Sequence, residues 1–334
     1  MSDYQAMYYE IKDKYLYCQL CPHHCRLKEG QTGLCRVRKN CGGVLIAVNY
    51  GEISSIAVDP IEKKPLFHYY PGSYILSVGT YGCNFDCLFC QNYSIAHNNP
   101  NVYYLDPQSL VAVAAKAQKK GSIGVAFTYN EPSIWYEYII DAAPLLKEKG
   151  YKVVLVSNGF LEEKPLKTLR PFIDAVNIDV KAFSEDFYRK ICRGSLRPVL
   201  RTVEELSGKV HIEVTTLLIP GKNDSCNEIQ ELCRWLSGID INIPLHINRY
   251  YPSYNMQDIP PTPTATLYNA QEIACRYLNF VYIGNLGKEN NTYCPDCSNI
   301  LIERNSFKVD PGGIKSGKCN RCGRVIDFIA GSSK

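Results

Sequence analysis

The stretch GTYGCNFDCLFCQN, residues 79–92, places Cys83, Cys87 and Cys90 within eight positions. Thiolates are soft ligands that favour zinc and iron–sulfur clusters. A structural zinc site or an ordinary iron–sulfur cluster takes four protein ligands. Three cysteines on a cubane of four irons leave one iron with coordination to spare. That iron can bind a substrate or a cofactor. The C-x3-C-x2-C spacing at the end of a predicted strand therefore points to a 4Fe–4S cluster with an open iron.

Two further cysteine groups flank this loop. Cys294, Cys297, Cys319 and Cys322 form C-x2-C…C-x2-C with 21 residues between the pairs. That spacer slightly exceeds the usual zinc-ribbon range. Each pair sits in a turn, so a tetrahedral thiolate site is expected, holding zinc or, in rubredoxin fashion, a single iron. A segment this small cannot build a sufficient core alone, and metal would supply its folding energy. Cys18, Cys21, Cys25 and Cys35 form C-x2-C-x3-C-x9-C near His23 and His24, which predicts zinc or a second iron–sulfur cluster.

Composition bounds the alternatives. The chain has 334 residues, 46% hydrophobic and 21% charged, as expected of an ordinary globular protein. A net charge of +4 without a basic stripe argues against a nucleic-acid partner. No apolar run approaches the roughly 20 residues needed to span a bilayer, so no membrane partner is expected. The polar start MSDYQAMYYEIKDKY is not a secretory signal, and a cytoplasmic location is expected. Cytosolic thiols stay reduced, so 16 cysteines point to metal rather than disulfides. Cys192, Cys226, Cys233 and Cys275 stand apart and read as buried small hydrophobes.

The elements that must position the central cysteines alternate. Short β-rich runs cover 74–79, 123–128, 152–157, 175–180, 212–219 and 244–248, and helix-like stretches such as 106–120 and 131–150 separate them. Alternation of this kind implies a parallel sheet with right-handed crossovers. Six units predict a partial (β/α)6 barrel over 71–286; a doubly wound open sheet is the alternative. An N-terminal Cys-rich module is expected over 1–70, with a hairpin in VLIAVNYGEISSIAV, and a zinc-ribbon-like module over 287–334, reached by a polar linker in GKENNTYCPDC. The three-cysteine loop, TYNEP (128–132), SNG (157–159), DVK (179–181) and PGKND (220–224) all close predicted strands, and His246 lies in the sixth. Chemistry in parallel β/α folds collects at these carboxyl ends.

The C-x3-C-x2-C loop with Phe89 resembles that of the radical S-adenosylmethionine (SAM) superfamily. The resemblance implies that the open iron chelates the methionine end of SAM, and that an electron from the cluster cleaves SAM to a 5′-deoxyadenosyl radical. In the related activases of glycyl-radical enzymes a Gly-Gly-Glu motif holds the SAM ammonium group. Here the matching residues are Tyr129, Asn130 and Glu131. The activases' Asp-Leu-Lys corresponds to Asp179, Val180 and Lys181, which puts Lys181 against the SAM carboxylate. Their Asp-Thr-Asn-Gly turn corresponds to 156–159 and includes Ser157, without the aspartate. By the same resemblance His246 would lie near the ribose and Phe89 by the adenine. End to end, through YCQLCPHHC, DPIEKKPLFHYYPGS and TYNEPSIWYEY, the chain resembles the radical SAM proteins of the AmmeMemoRadiSam system. That implies Memo-type and Amme-type partners, a reductant such as ferredoxin or flavodoxin, and oxidoreductase chemistry on an unidentified small molecule. A glycyl-radical activase acting on a protein glycine is the alternative, and a non-catalytic zinc-stabilised scaffold a third reading.

Overall fold

The computed structural model describes residues 4–287, 290–305, 308–326, 329 and 331. Its centre is an eight-stranded sheet of β1 (Ser55–Pro60), β2 (Tyr74–Gly79), β3 (Ser122–Phe127), β4 (Lys152–Ser157), β5 (Ala175–Asp179), β6 (His211–Leu218), β7 (Leu245–Arg249) and β8 (Val281–Gly284). The strands lie in sequence order from one edge to the other. Neighbours from β2 to β8 are parallel, and β1 is antiparallel to β2.

Each parallel crossover carries a helix: α1 (Pro107–Gln118), α2 (Tyr136–Glu148), α3 (Glu163–Leu169), α4 (Leu196–Leu206), α5 (Cys226–Ile239) and α6 (Thr264–Ala274). The six expected strand–helix units are therefore present, and β8 adds a seventh parallel strand. Start signals act as chemistry predicts. The Asp106 side chain accepts from Ser109 N at 2.9 Å with Pro107 in the first turn, and Ser225 caps α5 through Glu228 N. Because helices cover the sheet, its strands bury apolar side chains, among them Val125, Phe127, Val153, Val176 and Val214.

The expected hairpin takes a different form. Val44–Ala47 pairs antiparallel with Arg38–Cys41, whereas the second run becomes β1 and joins the main sheet. The Tyr50-Gly51 turn is real, with Glu52 N bonded to Asn49 O at 3.0 Å, but its flanks do not pair with each other. The sheet thus begins at Ser55, inside the segment assigned from sequence to the N-terminal module.

The segment 65–70 plugs the foot of the barrel, where the strands begin. Phe67 N and His68 N donate to the Glu213 carboxylate at 2.9 and 2.7 Å, and the Phe67 ring packs on His246 and Tyr282. The C-terminal strands Thr292–Tyr293, Ile300–Asn305 and Lys308–Asp310 form their own sheet over a small core of Leu301, Ile302 and Ile326. This sheet fastens to the same foot: Arg304 donates to Phe67 O at 2.6 Å, and Thr292 and Tyr282 share a hydroxyl bond of 2.7 Å. Residues 288 and 289 of the expected linker lie outside the described residues.

Candidate active site

At the opposite end, where the strands finish, lies a cavity of about 530 Å³. Cys83, Cys87 and Cys90 line it together with Phe89, Asn130, Glu131, Asp179 and Lys181. The structure brings these eight residues together around one cavity at the barrel mouth.

The cysteine loop is held from below. Asn130 accepts from Thr80 N at 3.1 Å and donates to Gly82 O at 2.9 Å, which spends its amide on the loop. Asn84 donates to Phe160 O and accepts from Asn158 Nδ2, each at 2.8 Å. Gly82 has φ +84°, and a side chain there would meet Cys35 O at 2.5 Å, so only glycine fits. Burial pushes the Cys83 and Cys90 thiols up, and neighbouring Cys192 followed by burial pushes Cys87 up; nearby Glu131 adds to the rise at Cys83, and Lys181 counteracts it at Cys87 and Cys90. Phe85 N donates to the Cys83 sulfur at 3.4 Å. Cys192, which reads from sequence as an isolated hydrophobe, is buried, and its free thiol is near enough to Cys87 to raise it.

Glu131 closes the third strand. Its Oε1 accepts from Ser133 N at 2.9 Å and Ser157 Oγ at 2.7 Å, and its Oε2 accepts from Asn158 N at 2.7 Å. It therefore caps the 3-10 turn Pro132–Trp135 and ties the end of β3 to the end of β4. Burial raises its carboxyl, opposed by the Asn158, Ser157 and Ser133 donors. Ser157 does not line the cavity; it serves Glu131. Lys181 Nζ sits 3.0 Å from Asp179 Oδ2 and 5.9 Å from the Phe89 ring centre. Burial opposes its charge, but Asp179, Cys87 and Cys192 outweigh that and hold the ammonium well above its ordinary value.

His246 departs from the expectation. It is the second residue of β7, pairs in register with Thr215, and does not line the cavity. Its Nε2 lies 2.7 Å from Glu213 Oε2 within the plugged foot. The inward residue that does reach the cavity is Asn248, two positions on and roughly 6.6 Å higher along the strand.

A second wall of the cavity was not visible in the sequence. Asp59, Lys64 and Tyr129 meet there: Lys64 Nζ and Tyr129 OH each lie 2.9 Å from Asp59 Oδ2. Although burial opposes it, bonding to Lys64 and Tyr129 takes the Asp59 carboxyl down to about 2. Tyr129 has φ +74°, a strained value for a bulky residue. Gly79 makes room for it, since a side chain there would meet Thr128 O at 2.6 Å.

The flanking cysteines differ from one another. At the C-terminus, Cys294 and Cys322 sulfurs are 3.6 Å apart, Cys297 and Cys319 sulfurs 3.7 Å, and all four lie within 4.8 Å of one another. A tetrahedral site with metal–sulfur bonds of about 2.3 Å requires sulfurs about 3.8 Å apart, so this group can bind one metal ion. At the N-terminus Cys18, Cys21 and Cys35 are buried and Cys25 half-buried. Of the neighbouring histidines, His23 has its Nε2 2.6 Å from Asn84 O, and His24 has its Nε2 3.1 Å from Glu162.

Comparison with known proteins agrees with this geometry. The radical SAM superfamily profile matches residues 77–236. An uncharacterized protein of Methanocaldococcus jannaschii is 41% identical over 337 residues, covering 97% of this chain and 99% of its own. A candidate glycyl-radical enzyme activating enzyme of the same organism is 26% identical over 60% of this chain and 77% of its own. Among solved structures, Streptococcus suis SuiB bound to S-adenosylmethionine superposes with a TM-score of 0.50 at 14% identity, over 63% of this chain and 51% of that one, a likeness of fold. No described helix is long and apolar enough to cross a membrane. With three cysteines at the mouth of a partial barrel, and this match across its strands, residues 77–236 form a radical SAM superfamily domain.

Proposed function

We propose that the protein cleaves SAM reductively at a 4Fe–4S cluster held by Cys83, Cys87 and Cys90, and directs the resulting radical at a small molecule. The observation that carries this reading is the meeting of one buried and two half-buried thiols, a buried carboxylate and a half-buried ammonium in one cavity. Three cysteines, with no fourth cysteine lining the cavity among the described residues, suit a cluster with an open iron. When bound, the cluster supplies the one electron that breaks the SAM sulfonium and yields the 5′-deoxyadenosyl radical.

The chain's residues do the rest. Glu131, with a lone pair to spare on Oε2 beyond the Asn158 bond, faces the SAM ammonium group. Lys181, oriented by Asp179, faces its carboxylate. Phe89 offers its ring to the adenine and keeps water from the cluster side. Asn130 and Ser157 act as positioning residues, the first on the cysteine loop and the second on Glu131. His246 is left out of this reading, because Glu213 already takes its ring nitrogen. The Asp59–Lys64–Tyr129 wall is the place for the substrate.

Memo-type and Amme-type partners and a ferredoxin or flavodoxin reductant complete the proposed pathway. The likeness to a candidate activase supports a second reading, radical transfer to a protein glycine. Anaerobic assay of the reconstituted protein with SAM and a reductant tests the first step by formation of 5′-deoxyadenosine. Absence of that product from a cluster-loaded protein would contradict the proposal. A lasting glycyl-radical signal on a partner protein would favour the second reading over the first.

A further inference from the structure

We propose that Cys18, Cys21, Cys25 and Cys35 hold a second iron–sulfur cluster that relays electrons to the centre at Cys83, Cys87 and Cys90. The relay rests on the function proposed above; the cluster itself does not.

Two features make the N-terminal group a built site. The chain closes on itself there: Cys18 N is bonded to Cys25 O at 3.0 Å, a side chain at Gly33 would touch the Cys25 sulfur at 3.5 Å, and Cys18, Cys21 and Cys35 are buried. The second feature is Arg38, 1% exposed, whose backbone oxygen lies against the same Gly33. Its Nε finds no hydrogen-bond partner among the described residues, although Glu137 takes its Nη1 at 2.9 Å. A buried guanidinium with an unspent N–H beside this loop is expected where a loaded centre carries net negative charge.

The size of the group favours a cluster over a single ion. Among the described residues, the C-terminal four are the cysteines whose sulfurs all fall within 4.8 Å of one another, as one ion demands. Thiolates on the separate corners of a cubane stand further apart than those on one ion.

Position favours the relay. Cys35 O presses against Gly82, the residue before Cys83. His23 Nε2 bonds to Asn84 O, the residue after it, and its ring packs 5.0 Å from Phe160. The two cysteine loops therefore share one wall of direct contacts. One electron from a low-potential carrier protein would reduce the N-terminal cluster and pass to the second. There it is consumed in breaking one carbon–sulfur bond of SAM, leaving methionine and the 5′-deoxyadenosyl radical.

The test is reconstitution of the full chain with Cys83, Cys87 and Cys90 all changed to Ala. About four acid-labile sulfides per chain should remain, with a reduced-state EPR signal that SAM does not alter. Counting sulfide sets aside any mononuclear iron at the C-terminus. Zinc or iron without sulfide, or no metal at the N-terminal cysteines, overturns the cluster. Should that variant fail to fold, Cys18→Ser with Cys25→Ser in the otherwise intact chain should halve the sulfide; an unchanged count overturns the proposal. In the same double variant, reduction of the remaining cluster by reduced flavodoxin should slow in stopped-flow absorbance. Halved sulfide with an unchanged rate overturns the relay alone.

Discussion

Glu131→Gln separates the two tasks given to Glu131. The carboxylate accepts three bonds, two at Oε1 and one at Oε2. Glutamine keeps one oxygen. The cheaper orientation leaves that oxygen on Ser133 and Ser157 and turns an NH2 group toward Asn158 N. A hydrogen bond to a charged group is worth about 1.5–3 kcal/mol net, so stability should fall by about that amount. The same charge is lost from the SAM ammonium group, and about 1.4 kcal/mol is already tenfold in affinity. SAM binding to the cluster-loaded variant should therefore weaken by about tenfold or more. Ser157→Ala is the control. It removes one bond to Glu131 but leaves the charge, so it should cost about 0.5–3 kcal/mol of stability and leave SAM affinity nearly unchanged. The assays are denaturant unfolding of the reconstituted proteins and anaerobic SAM titration of each. Equal weakening of SAM by both variants, or unchanged affinity in Glu131→Gln, would refute the contact and leave Glu131 as a clasp between two strand ends.

Two other perturbations follow from the same structure. Stripping metal from the full chain with a strong chelator should raise hydrogen exchange across 292–305 and 314–326, because Cys294, Cys297, Cys319 and Cys322 bracket a core too small to persist alone; protection unchanged after metal loss contradicts this. The foot of the barrel should be acid-labile. Burial takes His68 down to about 3, against Glu213, with Arg304, His211 and His246 also facing it. Glu213 is itself held far below its ordinary value, because its His211 and His246 partners outweigh the opposing effect of burial. The unfolded chain binds a His68 proton below about 6.5 that the folded chain refuses, and a Glu213 proton below about 4.5. Both effects remove stability as pH falls, so urea midpoints should drop steadily below about pH 6.5. A flat midpoint between pH 6.5 and 4 would contradict the buried network.

The parts of the site legible in the sequence are those fixed by local chemistry. Cys83, Cys87 and Cys90 could be assigned because thiols at close spacing in one loop have few other uses. Glu131 and Lys181 could be assigned because each follows a recognisable strand, and strand ends share an address. His246 failed because a strand has two ends and the pattern of PLHIN does not say which end is nearer the cavity. Register does, and it sets Asn248 at the mouth and His246 beside Glu213. Asp59 and Tyr129 lie 70 positions apart, and their contact needs a positive φ at Tyr129 that no propensity predicts. The run after Tyr50-Gly51 was strand-like, as read, but a turn signal does not say whether its flanks pair with each other. Here the first paired with Arg38–Cys41 and the second with β2.

The central claim is that an iron without a protein ligand, at the centre held by Cys83, Cys87 and Cys90, takes the methionine end of SAM. Electron–nuclear double resonance on the reduced protein, with SAM labelled with nitrogen-15 at its amino group and oxygen-17 at its carboxylate, measures this directly. The account predicts hyperfine coupling from both labels in the unaltered chain, and none when Cys83, Cys87 and Cys90 are Ala. A cluster-loaded protein that binds labelled SAM without coupling from either label would contradict it.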